Sequence, residues 1–178
     1  QGRRVEYAET RDAGYGAARS STIAIGVLIH NRIDIARLLR AKLDALACIF
    51  REARIYIIAG DSTDGTEEVV GAWMRESPEL VRCVPPVTTL QRGVRRIATL
   101  RNALLDAIEA DEPTDYIAMF DGDLEGPISL DGVAHTMAAL ERDRSLSAVA
   151  AFGLNNWLGL DSSVPFVGYT YCDPLAFR

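Results

Sequence analysis

The chain alternates between short apolar runs and longer segments with helical spacing. The runs are rich in β-branched and aromatic residues, which is typical of strands that are buried on both faces of a sheet. Pro85 and Pro86 end one of the runs, because proline cannot donate to a strand ladder. The predicted strands are TIAIGVLIH (22–30), RIYIIAG (54–60), VRCVPPV (81–87), DYIAMF (115–120) and SAVAAFG (147–153).

Between these runs, apolar residues recur at the i, i+3, i+4, i+7 spacing of amphipathic helices. The first such pattern extends from Ile35 to Phe50, and Asp34 or Asn31 is expected to cap it. Residues 1–21 show no clean period and are predicted to be a loose N-terminal arm. The remaining predicted helices follow the DSTDGT turn at 61–66 and cover about 93–110 and about 130–143.

Strands that alternate with helices predict βαβ units. We therefore expect an α/β fold in residues 22–178, Rossmann-like, with a mainly parallel twisted sheet and helices on both faces. A chain of 178 residues is most simply one domain, and its 48% hydrophobic content is enough for a core.

Charge and cysteine content narrow the class of protein. A net charge of −6 argues against a nucleic-acid binder, which would show a basic face. The three cysteines form no CxxC pair, so neither a zinc knuckle nor a disulfide framework is indicated, and a reducing cytoplasm fits best. No apolar run reaches about 18 residues, so no transmembrane span is predicted. All but one of the 19 Lys and Arg residues are arginine, which suggests a bacterial source with a GC-rich genome.

Polar clusters follow three of the predicted strands: His30-Asn31-Arg32, Asp61-Ser62-Thr63-Asp64 and Asp121-Gly122-Asp123. Ligands of parallel sheets bind at the carboxyl ends of the strands. The three clusters are therefore expected to line one ligand-binding cleft.

The acidic stretch DGDLEGPISLDG (121–132) suggests a metal site. An EF-hand calcium loop would need a glutamate at its twelfth position, where Gly132 stands, and a helix before it, where the pattern predicts a strand. The other interpretation is a DxD motif, in which Asp121 and Asp123 hold Mn²⁺ or Mg²⁺ together with substrate phosphates and water. We expect that ion to serve a substrate rather than the fold.

Other polar residues have competing interpretations. Asp64 and Glu67 form a capping box for the second helix, whereas Asp61 is free to accept a hydrogen bond from a base or ribose hydroxyl. Arg101 lies on the apolar stripe of the third helix, so it either pairs with Asp121 or Asp61 or faces a phosphate. Near the start of that helix, Arg92, Arg95 and Arg96 form a phosphate-facing set or a solvated turn.

The motifs together resemble those of glycosyltransferases with the GT-A fold. DSTDGTEEV is similar to the DGSTDGT turn of the family-two enzymes, although AGDSTDGT replaces DDGSTDGT. RIATLRNALLDAI, YIAMFDGDLEGP and YCDPLAFR resemble the capsule-associated α-1,3-mannosyltransferase family of fungi and its bacterial relatives, which serve polysaccharide biosynthesis. The resemblance spans about residues 22–178.

The resemblance implies a metal-dependent transfer of a sugar, such as mannose, from a GDP- or UDP-sugar to a glycan or small-molecule hydroxyl. It implies a nucleotide-binding role for Asp61 and Arg101, and metal and diphosphate contacts for Asp121 and Asp123, which counts Asp123 among the catalytic residues. Gly122, between the two carboxylates, is expected to lie against the donor. It places Tyr171 and Asp173 at the donor sugar or acceptor, with Asp173 as the candidate base. The expected setting is the cytoplasm or the inner face of the membrane, and the resemblance implies an acceptor-binding part beyond Arg178.

Three other functions fit parts of the pattern. A nucleotidyltransferase shares the architecture and an Asp–metal pair, but it would show a glycine-rich loop after the first strand, where HNRID has no glycine. A calcium-binding module and a catalytically inactive nucleotide-binding relative are the others. Nucleotide binding with and without Mn²⁺ separates all of them.

Overall fold

A computed structural model describes residues 2–87, 93–123 and 126–149 of the chain. Five helices and four strands alternate in these ranges, as the sequence pattern predicts from residue 22 onward. They are α1 (Gly2–Ser20), β1 (Thr22–Leu28), α2 (Ile33–Ala47), β2 (Glu52–Ile58), α3 (Thr66–Glu76), β3 (Val81–Cys83), α4 (Val94–Glu109), β4 (Tyr116–Asp121) and α5 (Leu130–Arg142).

The four strands form one parallel sheet in the order β3-β2-β1-β4. β1 lies inside the sheet, and its five central residues are buried, because strands flank it on both edges and helices cover both faces. Leu28, its last residue, is paired with Ile58 of β2 and with Asp121 of β4. The predicted α/β class with a parallel sheet and helices on both faces is confirmed.

The alternation of side chains along the strands divides the core into two clusters. Ile25, Val27 and Ile57 point to the face covered by α1, α2, α3 and α5, and they join the larger cluster. Ala24 and Tyr56 point to the other face, where they pack against the apolar side of α4. α4 therefore covers its face alone in the described structure, and it lies over β1 and β2.

The prediction of a loose arm for residues 1–21 is wrong, because α1 is a helix of 19 residues that packs along α5. Its contacts use small or polar groups. Gly14 meets the backbone of Ala134, and the Tyr15 hydroxyl donates to Asp131 Oδ1 at 2.8 Å. Few large apolar residues are needed for such an interface, so the apolar period of α1 is weak.

β4 is not buried on both faces, contrary to its apolar sequence. Ile117 and Met119 are 46% and 37% exposed, whereas their neighbours point into the larger cluster. β4 is the edge strand of the described sheet, and α4 lies over β1 and β2 instead. The side of β4 that faces away from α5 is therefore left partly open.

The predicted strand 147–153 lies partly outside the described residues. Residues 147–149 have no regular secondary structure, and residues 150–153 are among those that are not described. No helix within the described ranges is long and apolar enough to cross a membrane.

The contact between α1 and α5 predicts opposite effects for two glycines of α1. A Cβ on Gly14 would lie 1.7 Å from the carbonyl oxygen of Ala134, so Gly14→Ala must push the helices apart. We expect a loss of about 1–3 kcal/mol in the free energy of unfolding, as for other overpacked contacts. Urea denaturation measures it.

Gly16 is the matched control, because a Cβ there meets no atom within 4 Å. Gly16→Ala should raise stability by up to about 1 kcal/mol, since alanine favours the helix. Equal stability of the Gly14→Ala variant and the wild type would contradict the close helix contact.

Candidate active site

The carboxyl ends of β1, β2 and β4 lie side by side at one edge of the sheet. The Ile29 amide donates to the Ile58 carbonyl at 3.0 Å, and the Gly122 amide donates to the Leu28 carbonyl at 2.6 Å. The loops after the three strands therefore begin one strand spacing apart, about 5 Å. This edge gathers the three polar clusters that the sequence predicts to line a cleft.

The turn after β4 is held in place by close packing around Gly122. This residue is buried, and a Cβ on it would lie 2.6 Å from both the Leu28 carbonyl oxygen and Ile29 Cβ. A larger residue would push the turn away from β1. Asp121 and Asp123 flank this fixed point, and both are exposed.

Two arginines of α4 reach the acidic strand ends. Arg101 Nη2 lies 2.7 Å from Asp121 Oδ1, and Arg96 Nη2 lies 2.8 Å from Asp61 Oδ2. The Asp121 and Asp61 side chains remain 57% and 71% exposed. Of the alternatives for Arg101, the structure contains the ion pair with Asp121. Arg95 is exposed and forms no ion pair with any described residue, which fits the solvated alternative.

The prediction that Arg101 lies on the apolar stripe of its helix is wrong. The buried side of α4 is formed by Leu104 and Ile108 with Leu100, Ala103 and Ala107 packed beside them. Val94 and Ile97, which have the spacing of the predicted apolar stripe, are 53% and 36% exposed. Arg101 lies beside the buried side, and its side chain is 46% exposed.

Asp61 and Asn31 have positive φ angles of 62° and 50°, the only such values among the described non-glycine residues. The left-handed region is costly for most side chains, and residues held there cluster at functional sites. Asn31 also joins the loops after β1 and β2. Its Oδ1 accepts from the Thr63 backbone amide at 2.7 Å, and its backbone amide donates to Ser62 Oγ at 3.1 Å.

Arg32 and His30, the other two residues of the cluster after β1, differ in their contacts. The Arg32 guanidinium pairs with Asp34, and the Arg32 backbone amide donates to Thr66 Oγ1 at 3.0 Å. The hydrogen bond from Arg32 holds the pKa of Asp34 below its usual value. His30 is exposed at the edge, with Nε2 lying 3.3 Å from Asn31 Nδ2.

The predicted caps Asp34 and Asn31 of α2 and the predicted capping box of Asp64 and Glu67 are wrong, because the N-cap residues are Arg32 and Gly65, neither with a side-chain cap bond. Asp64 still serves the start of α3, since its Oδ1 accepts from the Thr66 amide at 3.0 Å, and it also links this start to the start of α2. Its Oδ2 accepts from the Ile33 amide at 2.9 Å, and its Oδ1 accepts from the Thr66 hydroxyl at 2.6 Å. These hydrogen bonds, the one from Thr66 above all, hold the pKa of Asp64 below its usual value.

The donor set at the acidic turn suits an ion that is shared with a substrate. Within the described ranges, no three or more Asp, Glu, His or Cys side chains converge as a metal cage would require. Asp121 and Asp123 offer two carboxylates on a fixed turn, and Mg²⁺ or Mn²⁺ uses such a pair with phosphate and water as further ligands. The residues therefore fit this kind of ion.

The structure around the acidic stretch does not have the elements of an EF-hand calcium loop. A strand, not a helix, precedes the acidic stretch, and Ser129 caps α5 by accepting from the Gly132 amide at 3.1 Å. Asp131, another carboxylate of this stretch, accepts from the Tyr15 hydroxyl of α1 at 2.8 Å. The predicted site residues Tyr171 and Asp173 lie outside the described residues, as does Glu125.

Arg96 is the site residue that the sequence did not single out. The local sequence pattern does not distinguish Arg96 from its neighbours Arg92 and Arg95. Arg96 and Arg101 are about 140° apart around the helix axis, because five residues advance a helix by this angle. α4 can therefore direct one of them to β2 and the other to β4, a signal that becomes visible once the strand order is known.

Comparisons with known proteins leave the family open. No known family and no curated protein matches the sequence. One solved structure that matches is the mannosyltransferase PcManGT from Pyrobaculum calidifontis in complex with GDP-Man and Mn²⁺, at 18% identity and a TM-score of 0.48. The match covers 77% of this chain and 41% of the mannosyltransferase chain. Similarity of this degree does not establish a shared function.

The cross-loop role of Asp64 predicts a pH-dependent loss in Asp64→Ala. Because its pKa is lowered in the folded state, its contribution is complete above the usual pKa of about 3.9 and is lost as the pH falls through the lowered value. We expect the variant to have a lower Tm than the wild type at pH 7, and we expect the difference to narrow below about pH 4.

Glu68→Gln is the control for this measurement. It removes one exposed carboxylate of α3 that has no hydrogen-bond partner among the described residues. Its Tm should stay near the wild-type value at pH 7. A deficit of Asp64→Ala that stays constant from pH 7 to pH 3 would contradict the role of the ionised carboxylate.

Proposed function

We propose that the protein is a metal-dependent glycosyltransferase of the GT-A type, which moves a sugar from a nucleoside diphosphate sugar to an acceptor hydroxyl. The observation that carries this proposal is the fixed Asp121-Gly122-Asp123 turn at the carboxyl edge of a parallel sheet, beside two arginines of α4. Ligands of such sheets bind at this edge, and a paired carboxylate turn suits an ion shared with phosphates.

The chemistry that the site must support is the departure of a nucleoside diphosphate. Negative charge grows on the leaving phosphate as the bond to the sugar breaks. Mn²⁺ or Mg²⁺ bound by Asp121 and Asp123 would supply positive charge there. Arg101 lies beside the same turn and adds a donor to phosphate oxygens in the bound state. We therefore assign Asp123 a catalytic role through the ion that it would hold.

The nucleoside side of the donor is assigned to the loops after β1 and β2. Asp61 has an exposed carboxylate at the end of β2, where it can accept hydrogen bonds from a base or ribose hydroxyl. His30 is exposed after the end of β1, the neighbouring strand. Asn31 and Arg32 shape this part of the edge through their loop contacts, and we assign them a supporting role in donor binding.

The resemblance of the C-terminal motif is the basis for the acceptor side. We propose that Tyr171 contacts the donor sugar or the acceptor and that Asp173 takes the proton of the acceptor hydroxyl. Mannose is the sugar that the same motif favours. The wide spacing of the cysteines supports a cytoplasmic setting, with polysaccharide biosynthesis at the inner face of the membrane as the expected process.

Calorimetric titration with GDP and UDP tests the proposal. Binding should require Mn²⁺ or Mg²⁺ and should be abolished by EDTA, because the carboxylates repel the diphosphate unless an ion lies between them. Nucleotide affinity that ignores EDTA would refute the metal-dependent function. Calcium binding that ignores nucleotide would favour a calcium-binding module instead.

Asp123→Ala is the sharper variant. Its Tm without ligand should equal that of the wild type, because the exposed carboxylate forms no ion pair with the described residues. It should lose the metal-dependent rise in Tm that nucleotide sugar causes, and transfer should fall at least about 100-fold.

Asp106→Asn serves as its control. Asp106 is an exposed carboxylate on α4, and the change should leave both the rise in Tm and the transfer rate near the wild-type values. A large loss of stability in metal-free Asp123→Ala would show instead that the turn serves the fold.

A further inference from the structure

Arg101 occupies the carboxylate that the proposed metal needs. Its Nη2 lies 2.7 Å from Asp121 Oδ1. We propose that Arg101 is a displaceable counter-ion: on metal binding it leaves Asp121 and turns to the diphosphate. This inference rests on the proposed function, and it adds that an internal cation competes with the metal for Asp121.

Competition follows from charge and reach. A guanidinium and a divalent cation on one carboxylate repel each other, and at about 4 Å this repulsion is substantial even at the dielectric constant of a protein surface. Arginine has no acceptor atoms, so it cannot become a ligand of the ion. The two cations therefore compete for Asp121 in the absence of an anionic ligand.

The ion pair is weak enough to exchange. The Arg101 and Asp121 side chains are 46% and 57% exposed, and pairs of this exposure contribute little to stability. One hydrogen bond joins them, from Nη2 to Oδ1, and not the two parallel bonds that make arginine pairs strong. Loss of the pair therefore leaves the fold intact.

Arg101 is the partner that moves. The turn that carries Asp121 is fixed, because the Gly122 amide is bonded to Leu28 and the space around its Cα is filled. Arg101, in contrast, has a long flexible side chain that is about half exposed. A diphosphate at the ion would attract the freed guanidinium, since phosphate offers it paired acceptors.

The exchange has a consequence that a simple phosphate-binding arginine would lack. Removing Arg101 should strengthen the binding of free Mn²⁺ and weaken the binding of nucleotide to the metal-loaded protein. A residue that only binds phosphate would change the second affinity alone. A residue that only supports the fold would change neither in a folded variant.

The test compares Arg101→Gln with Arg95→Gln by titration with Mn²⁺ alone, followed by the electron paramagnetic resonance signal of the free ion. Arg95 is on the same helix and forms no ion pair with a described residue, so its loss controls for overall charge. We expect Arg101→Gln to bind Mn²⁺ about three- to fivefold more tightly than the wild type, the upper part of the range that exposed ion pairs span. Arg95→Gln should differ from the wild type by less than about twofold.

The second arm titrates GDP and UDP into both variants at saturating Mn²⁺. Arg101→Gln should lose at least about tenfold in affinity for whichever nucleotide the wild type binds, the scale of a hydrogen bond to a charged group. If the two variants bind Mn²⁺ equally, or if Arg101→Gln keeps full nucleotide affinity, the exchange is refuted.

The failures of the two proposals can be told apart. Wild-type protein that binds GDP or UDP only with Mn²⁺ upholds the metal-dependent nucleotide binding on which the proposed function rests, whatever Arg101→Gln does. Wild-type protein that binds neither Mn²⁺ nor nucleotide overturns the proposed function and the exchange together. Thermal unfolding of each variant shows that it is folded before it is titrated.

Discussion

The register of β1 is the constraint on which the site depends. Leu28 is paired with Ile58 on one side and with Asp121 on the other, so a single residue sets where the loops after β2 and β4 begin. A slip of one residue would move every side chain of β1 to the other face of the sheet and into the wrong cluster of the core. The two clusters of the core, which alternate along β1, hold the register and thereby hold three polar loops together.

Much of the fold could be predicted because its helices and strands are amphipathic or fully apolar. The sequences of β1 and β2 predict buried strands, and the centre of β1 and the second half of β2 are buried. Their alternation with helices predicts a parallel sheet, which the structure has. α1 was missed because its interface with α5 rests on Gly14 and on a tyrosine–carboxylate hydrogen bond, which leave no apolar period. The exposure of Ile117 and Met119 depends on where α4 lies across the sheet, which no local pattern encodes.

The candidate site was predictable in its location and less so in its contacts. Acidic and polar residues directly after strands must gather at one edge of a parallel sheet, and they do. The partners within that edge depend on tertiary geometry: Arg96 meets Asp61, Arg101 meets Asp121, and Asp64 bonds across to α2. Through these contacts, protein cations neutralise two of the carboxylates at the edge.

The most direct test is paramagnetic broadening of backbone amide signals by Mn²⁺, recorded by nuclear magnetic resonance with and without GDP or UDP. The account predicts that nucleotide makes the broadening stronger and centres it on Gly122, Asp123 and Ile29. Thr22 and Glu52, about 20 Å away at the opposite edge, should be affected far less. Broadening centred elsewhere, or broadening at the turn that nucleotide leaves unchanged, would contradict a metal site that is shared with a diphosphate.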